Sequence, residues 1–150
     1  LANEISTGIF GKGTKEFLPS IWLHEGHGHD FGLEINGESQ TFLRGKEILD
    51  HLKNLDGIID FCWLSSCHSI ELVHNFEIMK SGKVKTLLGH LGMGDEAGNV
   101  VAFEMLVLER IMKGFSLGKS VQLAKSALDS KMSASGSFTL LGDPRLVLIS

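Results

Sequence analysis

Residues 58–67 read Ile-Ile-Asp-Phe-Cys-Trp-Leu-Ser-Ser-Cys, and the fold class can be inferred from this apolar run and its end. Apart from Asp60, every residue in 58–64 is apolar, and the run stops at two serines. An apolar run of this length is typical of a strand that is buried on both faces, as strands of parallel sheets are. The stretch therefore predicts a central strand of an α/β sheet, with the thiol of Cys67 just beyond its end.

The segments around this strand alternate between strand and helix patterns. Strand patterns cover residues 21–23, 31–35, 40–43, 84–88, 138–141 and 146–149, with an Asn36-Gly37 hairpin signal between the second and third. Helix patterns cover residues 45–55, 69–80, 100–113 and 116–131. This alternation predicts an α/β domain in which helices pack on both faces of a mostly parallel sheet.

Length and composition indicate one globular domain over residues 1–150. Hydrophobic residues make up 43% of the chain and charged residues 21%, which argues against disorder. The net charge is −4 and the sequence has no dense cluster of Lys and Arg, so direct binding of nucleic acid is not expected. An apolar run of about 18 residues, which a membrane-spanning helix needs, does not occur.

The two cysteines, Cys62 and Cys67, are too few for a disulfide framework and indicate a reducing compartment such as the cytoplasm. The first residues, Leu-Ala-Asn, include no initiator Met and no signal-peptide pattern. We therefore expect the chain to be a piece of a longer protein.

Reactive side chains follow two of the predicted strands. His27 lies in a Gly-rich turn after the first strand, and Cys67 follows the central strand 40 positions later. Since reactive groups in open α/β sheets gather beyond the carboxyl ends of strands, we expect this imidazole and this thiol to face each other.

Such a pair has a clear chemical use. A thiol with a pKa near its usual value of about 8.5 is only a few per cent thiolate at neutral pH. A neighbouring imidazole stabilises the thiolate and later protonates a leaving amine. Gly28 lets the backbone approach a substrate closely, and its N–H, with that of Cys67, is suited to hold an oxyanion. Cys62, inside the apolar strand, is predicted to be a core residue.

The residues alone leave alternatives open. A cysteine at a strand end is often an inert small hydrophobe, and a histidine in a Gly-rich loop is often a turn residue. The same region could instead bind a metal ion. The candidate ligands are the side chains of His24, His27, His29, Asp30, Cys67 and His68. The local pattern is poor for a metal, because His24-Glu25-Gly26-His27 is one residue short of the His-Glu-x-x-His helix motif.

Three short motifs resemble the CHAT domains, which are relatives of caspases, separases and gingipains. Leu64-Ser65-Ser66-Cys67 is similar to their Leu-Ser-Ala-Cys stretch, and Gly26-His27-Gly28 is similar to the turn around their catalytic histidine. Gly142-Asp143-Pro144 resembles a motif near the end of many such domains, and residues 116–127 resemble their penultimate helix. The resemblance covers about residues 21–149.

This resemblance implies a caspase-like sheet whose upstream strands lie outside the chain or only partly before residue 20. It implies a cysteine protease without a cofactor, in which His27 is the base and Cys67 the nucleophile. CHAT domains commonly follow helical repeats and stay inactive until a partner binds, and many serve bacterial antiviral defence, including CRISPR-associated, RNA-guided complexes. The expected partners are therefore a protein substrate and a regulatory domain or complex. A caspase-like binding module without turnover is the alternative.

Some details depart from the family pattern. His68 follows the nucleophile where an acidic residue or Gln is frequent, and the caspase Gln-Ala-Cys signature is absent, so cleavage after Asp is not implied. His24 is an alternative base, although a following Gly favours His27. The loop over residues 89–98 occupies the region of the family's substrate pocket, where Asp95 or Glu96 would receive a basic side chain.

Overall fold

The computed structural model describes residues 20–35, 41–93, 97–128 and 137–149. In chain order the elements are β1 (Ile21–Glu25), β2 (Gly28–His29), β3 (Gly32–Glu34), β4 (Phe42–Arg44), α1 (Gly45–Lys53), β5 (Ile59–Ser65), α2 (Ser69–Asn75), a 3₁₀ turn (Ile78–Ser81), β6 (Val84–His90), α3 (Ala97–Met112), α4 (Leu117–Ala127) and β7 (Phe138–Gly142).

Four strands form the main sheet in the order β1-β5-β6-β7. The first three are parallel to one another, and β7 runs antiparallel to β6. The predicted central strand is β5, which has a neighbour on each side and buries five of its seven residues. The α/β class and the mostly parallel sheet are therefore confirmed.

Helices cover both faces of this sheet. On one face, a buried cluster joins Cys62 and Leu64 of β5 to Ile48 of α1 and Leu72 of α2. On the other, a second cluster joins Phe61 and Trp63 of β5 to Phe103 of α3 and Val121 of α4. From Phe61 to Leu64, alternate residues of β5 thus enter opposite cores, as the period of a strand requires. No helix in the described ranges is long and apolar enough to cross a lipid bilayer.

A small antiparallel sheet, β2-β3-β4, lies between β1 and α1 in the chain. β3 and β4 pair through Leu33 and Leu43, so the predicted hairpin partners are found. The turn residues Asn36 and Gly37 lie outside the described residues.

The helix predicted over residues 69–80 is wrong in its second half. α2 ends at Asn75, and Glu77 has a left-handed backbone with φ of 53° before the 3₁₀ turn begins. This change of direction places Ile78 in the core at 1% exposure. Burial of Ile78 thus accompanies the interruption of the helix.

The strand predicted over residues 146–149 is also wrong, because these residues form no strand in the structure. The chain turns after β7, and the Leu146 carbonyl accepts a hydrogen bond from the Leu117 N–H at the start of α4, 2.9 Å away. Leu148 is buried in the core on the α3 and α4 side. Helices, not a sheet ladder, therefore cover this apolar run.

Candidate active site

The two strands that precede His27 and Cys67 are paired and end at the same level. Glu25, the last residue of β1, is the register partner of Ser65, the last residue of β5. Just beyond, the Gly26 N–H donates to the Ser65 carbonyl over 3.2 Å. His27 and Cys67 each follow two residues after this last pair, so they leave the same edge of the sheet.

Gly28 brings the histidine segment into contact with the cysteine segment. A Cβ placed on Gly28 would lie 2.6 Å from the Cys67 carbonyl oxygen and 2.8 Å from both Cβ and Oγ of Ser66. Such distances leave no room for a side chain, so the backbone next to His27 packs directly on the peptide that carries Cys67. The glycine at residue 28 is required by this close approach.

The backbone N–H of Gly28 is directed away from its partner strand. Gly28 pairs with Leu33 in the β2–β3 ladder, while the neighbouring Glu34 N–H donates to the His27 carbonyl over 2.9 Å. Hydrogen-bonded and non-hydrogen-bonded pairs alternate in an antiparallel ladder, so Gly28 occupies a non-hydrogen-bonded position. Its N–H therefore points away from β3.

The two histidines considered as bases have different surroundings. His27 is exposed. His24 is partly buried within β1, its Nε2 has no hydrogen-bond partner among the described residues, and burial lowers its pKa. His24 Nε2 lies 3.6 Å from the position of a Cβ on Gly26, so the imidazole lies beneath the turn that carries His27.

The turn that carries Cys67 is held by His68 and Glu71. His68 has a left-handed backbone with φ of 55°, and its N–H donates to the Gly92 carbonyl over 2.7 Å. Glu71 Oε1 accepts from the Gly92 N–H over 2.7 Å and lies 3.3 Å from His68 Nδ1. A non-Gly residue in this backbone region costs about 1–3 kcal/mol, and these contacts maintain it.

Sequence reasoning missed Glu71, whose only signal is its position three residues after His68, the spacing of neighbours on a helix. Burial alone would raise the pKa of the Glu71 carboxyl. Hydrogen bonds from the N–H groups of Glu71 and Gly92 and from the His68 ring outweigh burial and lower this pKa. The carboxylate therefore joins the Cys67 turn to the loop after β6.

Neither of the two cysteines, both within the described residues, forms a disulfide. Cys62 is fully buried in the core, as the sequence predicts, and burial raises the pKa of its thiol well above the ordinary value. Cys67 is half-buried at the edge of the sheet. The two thiols thus differ in access to solvent.

A groove of about 570 Å³ runs along β1 beside α3. Most of the described residues that line it are apolar, and Glu25, Ser65 and Glu104 form its polar end, where β1 and β5 finish. The Ser65 hydroxyl donates a hydrogen bond to Glu104 Oε1. Burial raises the pKa of the Glu104 carboxyl, the Ser65 hydroxyl lowers it in part, and the charge of Glu25 raises it further.

Sequence reasoning also missed the carboxylates of Glu25 and Glu104. The signal for Glu104 was present, since it is the only charged residue in the apolar stretch 100–108. The predicted pocket residues, Asp95 and Glu96, lie outside the described residues.

The described residues do not offer a set of ligands for the metal ion considered as an alternative. In the described part of the chain, no three His, Cys, Asp or Glu side chains come close enough to share a metal ion. The His29 ring instead stacks on Phe31 at a centroid distance of 5.1 Å and meets the edge of Phe42 at 5.2 Å. Aromatic packing thus accounts for His29.

No protein-family model matches the chain, and neither does any curated protein sequence. Function is therefore inferred from the motifs and the geometry of the site.

Proposed function

We propose that this chain is a cysteine peptidase that cleaves polypeptides with His27 as base and Cys67 as nucleophile. The observation that carries this proposal is the contact of Gly28 with the Cys67 carbonyl and the Ser66 side chain, since a Cβ on Gly28 would lie 2.6 Å from the Cys67 oxygen. Two strands that end in register bring an imidazole and a thiol to one edge of the sheet. This placement supports the proposal, because thiol-dependent acyl transfer needs a base near the nucleophilic thiol.

In the first half of the proposed reaction, His27 takes the proton of the Cys67 thiol and the thiolate attacks the carbonyl carbon of the substrate peptide. Negative charge develops on the carbonyl oxygen, and the Gly28 N–H, which points away from β3, is the proposed donor to it. The C–N bond then breaks, His27 gives its proton to the leaving amine, and the acyl group stays on Cys67 as a thioester.

In the second half, His27 removes a proton from water, and the resulting hydroxide attacks the thioester carbonyl. The C–S bond breaks, the product leaves as a carboxylic acid, and the Cys67 sulfur takes the proton back from His27. The net reaction consumes one water and one peptide bond and restores both side chains, so no cofactor is needed.

The exposure of His27 and the half-buried position of Cys67 support these roles over the alternatives. His24 is held within a strand with a buried Nε2, and Cys62 is enclosed in the core. The resemblance of the three motifs to CHAT domains supports the same assignment. It also supports the proposal that a helical-repeat domain or a defence complex regulates the enzyme.

The test is alkylation of the protein with iodoacetamide across a range of pH, with labelled peptides quantified by mass spectrometry. We expect Cys67 to be labelled faster than Cys62 and to be labelled more slowly in His27→Ala than in the wild-type protein. Cleavage of a peptide library should disappear in Cys67→Ala and persist in His24→Ala. Equal cleavage by wild type and Cys67→Ala would refute the proposal.

A further inference from the structure

The groove between β1 and α3 presents an unusually apolar surface to solvent. Leu23 is 57% exposed, Met105 61% and Met112 62%, and all three line it. Contiguous exposed apolar surface with a polar rim marks sites where proteins bind partners or ligands. The groove volume of about 570 Å³ is in the range of sites that enclose a peptide side chain or a small ligand.

The polar end of the groove carries negative charge without a matching cation. Five carboxylates of the described residues have one, as in the pairs Asp60–Lys85 and Glu109–Lys113, and the others without one, apart from Glu25 and Glu104, lie outside the groove. No ion pair within the described ranges involves Glu25 or Glu104, although Glu104 is half-buried. Because charged groups are rarely buried without a partner, this end of the groove is complementary to a cation.

A second polar group in the groove also lacks a partner. Trp63 lines the groove, is only 8% exposed, and its Nε1–H has no hydrogen-bond partner among the described residues. Buried indole N–H groups usually donate to an acceptor. A bound polypeptide supplies carbonyl acceptors of this kind, whereas an inorganic cation does not.

The charged end of the groove is next to the proposed dyad. Glu25 precedes His27 by two residues, and Ser65 precedes Cys67 by two residues. Two residues of backbone span at most about 7 Å. A long side chain of a substrate held at Cys67 can therefore reach the carboxylates.

We infer that this groove is the specificity site of the proposed peptidase, where Glu25 and Glu104 bind an Arg or Lys side chain next to the cleaved bond and the apolar walls take neighbouring apolar side chains. The inference rests on the proposed function, because the occupant is its substrate. Two converging carboxylates favour Arg, whose guanidinium donates several hydrogen bonds in a fork.

Binding is measured first, in the Cys67→Ala protein, where no cleavage intervenes. The probes are fluorescein-labelled peptides with two leucines before a single variable residue, which is Arg, Gln or Glu. Fluorescence anisotropy should show the Arg peptide binding at least about tenfold more tightly than the Gln peptide. A tenfold difference in affinity is about what one charge-assisted hydrogen bond contributes. The Glu peptide should bind more weakly still.

Glu104→Gln and, separately, Glu25→Gln should reduce the preference for Arg over Gln, and the double variant should abolish it. Glu25 is exposed, so its substitution tests the site even if Glu104→Gln lowers stability. Glu109→Gln is the matched control, because Glu109 lies on the same helix in an exposed pair with Lys113 and does not line the groove. Equal affinities for the three peptides, or an Arg preference untouched by the double variant, would overturn the inference.

Cleavage of the same peptides by the wild-type protein separates the two proposals. Cys67-dependent cleavage with no charge preference would retain the peptidase and refute the specificity site. Preferential binding of the Arg peptide that requires Glu25 and Glu104, without cleavage and with Cys67 alkylation unchanged in His27→Ala, would retain the binding site and refute the peptidase.

Discussion

Gly28 lies against the carbonyl of Cys67 so closely that a Cβ on the glycine would be 2.6 Å from the oxygen. The residues are 39 positions apart and meet because β1 and β5 end together. This contact sets the spacing between the histidine turn and the cysteine turn, on which the proposed chemistry depends.

Gly28→Ala is expected to separate these turns. Backbone and the Ser66 side chain surround the site, so the added methyl should cost about 1–3 kcal/mol of unfolding free energy, as overpacking does. It should also slow Cys67 alkylation and peptide cleavage. Gly57→Ala is the control, since nothing lies within 4 Å of a Cβ at that exposed position. Urea denaturation should show Gly57→Ala near wild type; similar losses in both variants would contradict the contact.

The two thiols should respond differently to alkylation in the native state. Cys62 is 0% exposed, so it should be labelled only when the protein unfolds, at least about a hundredfold more slowly than Cys67. Cys62→Ser should cost about 1–3 kcal/mol, because its hydroxyl would enter an apolar core. Cys67→Ser should cost less than about 1 kcal/mol. Mass spectrometry and urea denaturation measure both effects, and labelling of the two thiols at equal rates in the native protein would be inconsistent with this core.

Glu71→Ala should loosen the turn after Cys67. The substitution removes the acceptor of the Gly92 N–H, and loss of a hydrogen bond to a charged group costs about 1.5–3 kcal/mol of stability. Glu77→Ala should change stability far less, because its ion pair with Lys80 is exposed at the surface. Urea denaturation of the two variants checks the difference, and equal effects would show that the Glu71 contacts contribute little.

The Glu71 carboxylate should also make the stability of the fold depend on pH. The pKa of Glu71 is lowered in the folded state, so its contribution is present above the unfolded value of 4.5 and is lost as the pH falls through the folded pKa. The free energy of unfolding of wild type should therefore exceed that of Glu71→Ala by a smaller amount below about pH 4.5 than above it. A difference in unfolding free energy that stays constant down to about pH 3 would show that the charge of Glu71 is not involved.

His90 should make the fold sensitive to mild acid. The imidazole is 2% exposed, its ring lies 3.8 Å from the Phe138 ring, and burial lowers its pKa from 6.5 to about 4. Between these values the unfolded state binds a proton that the folded state does not, so stability falls as the pH drops from 6.5 to 4. The loss is roughly 3 kcal/mol at most, at 1.36 kcal/mol for each pKa unit.

His90→Leu should remove this part of the acid sensitivity, whatever it does to stability at pH 7. Urea denaturation of both proteins between pH 4 and 7 gives the two slopes. His74→Leu is the control, because His74 is exposed; this variant should keep the wild-type dependence of stability on pH. Identical slopes in wild type and His90→Leu would show that His90 does not remain neutral in the fold.

Sequence alone was sufficient for elements whose pattern is local. The run over residues 58–64 has the composition of a strand buried on both faces, and β5 is that strand. Cys62 was recognised as a core residue for the same reason, and the order of strands and helices specified the α/β class. The predictions for residues 69–80 and 146–149 were wrong because apolar side chains show only that a segment is buried. Ile78 entered the core from a 3₁₀ turn, and Leu148 packed with helices instead of pairing in the sheet.

Local patterns in the sequence were therefore sufficient to show which segments are buried and that His27 and Cys67 follow strands. Which distant groups meet depends on the packing of the strands and helices. Ser65 and Glu104 are 39 positions apart, and Glu71 and Gly92 are 21 positions apart. Neither pair has a periodic signature in the chain, because each contact depends on how strands align and how helices cross the sheet. The acidic end of the groove and the anchored turn beside Cys67 are products of that packing, which a pattern read along the chain does not contain.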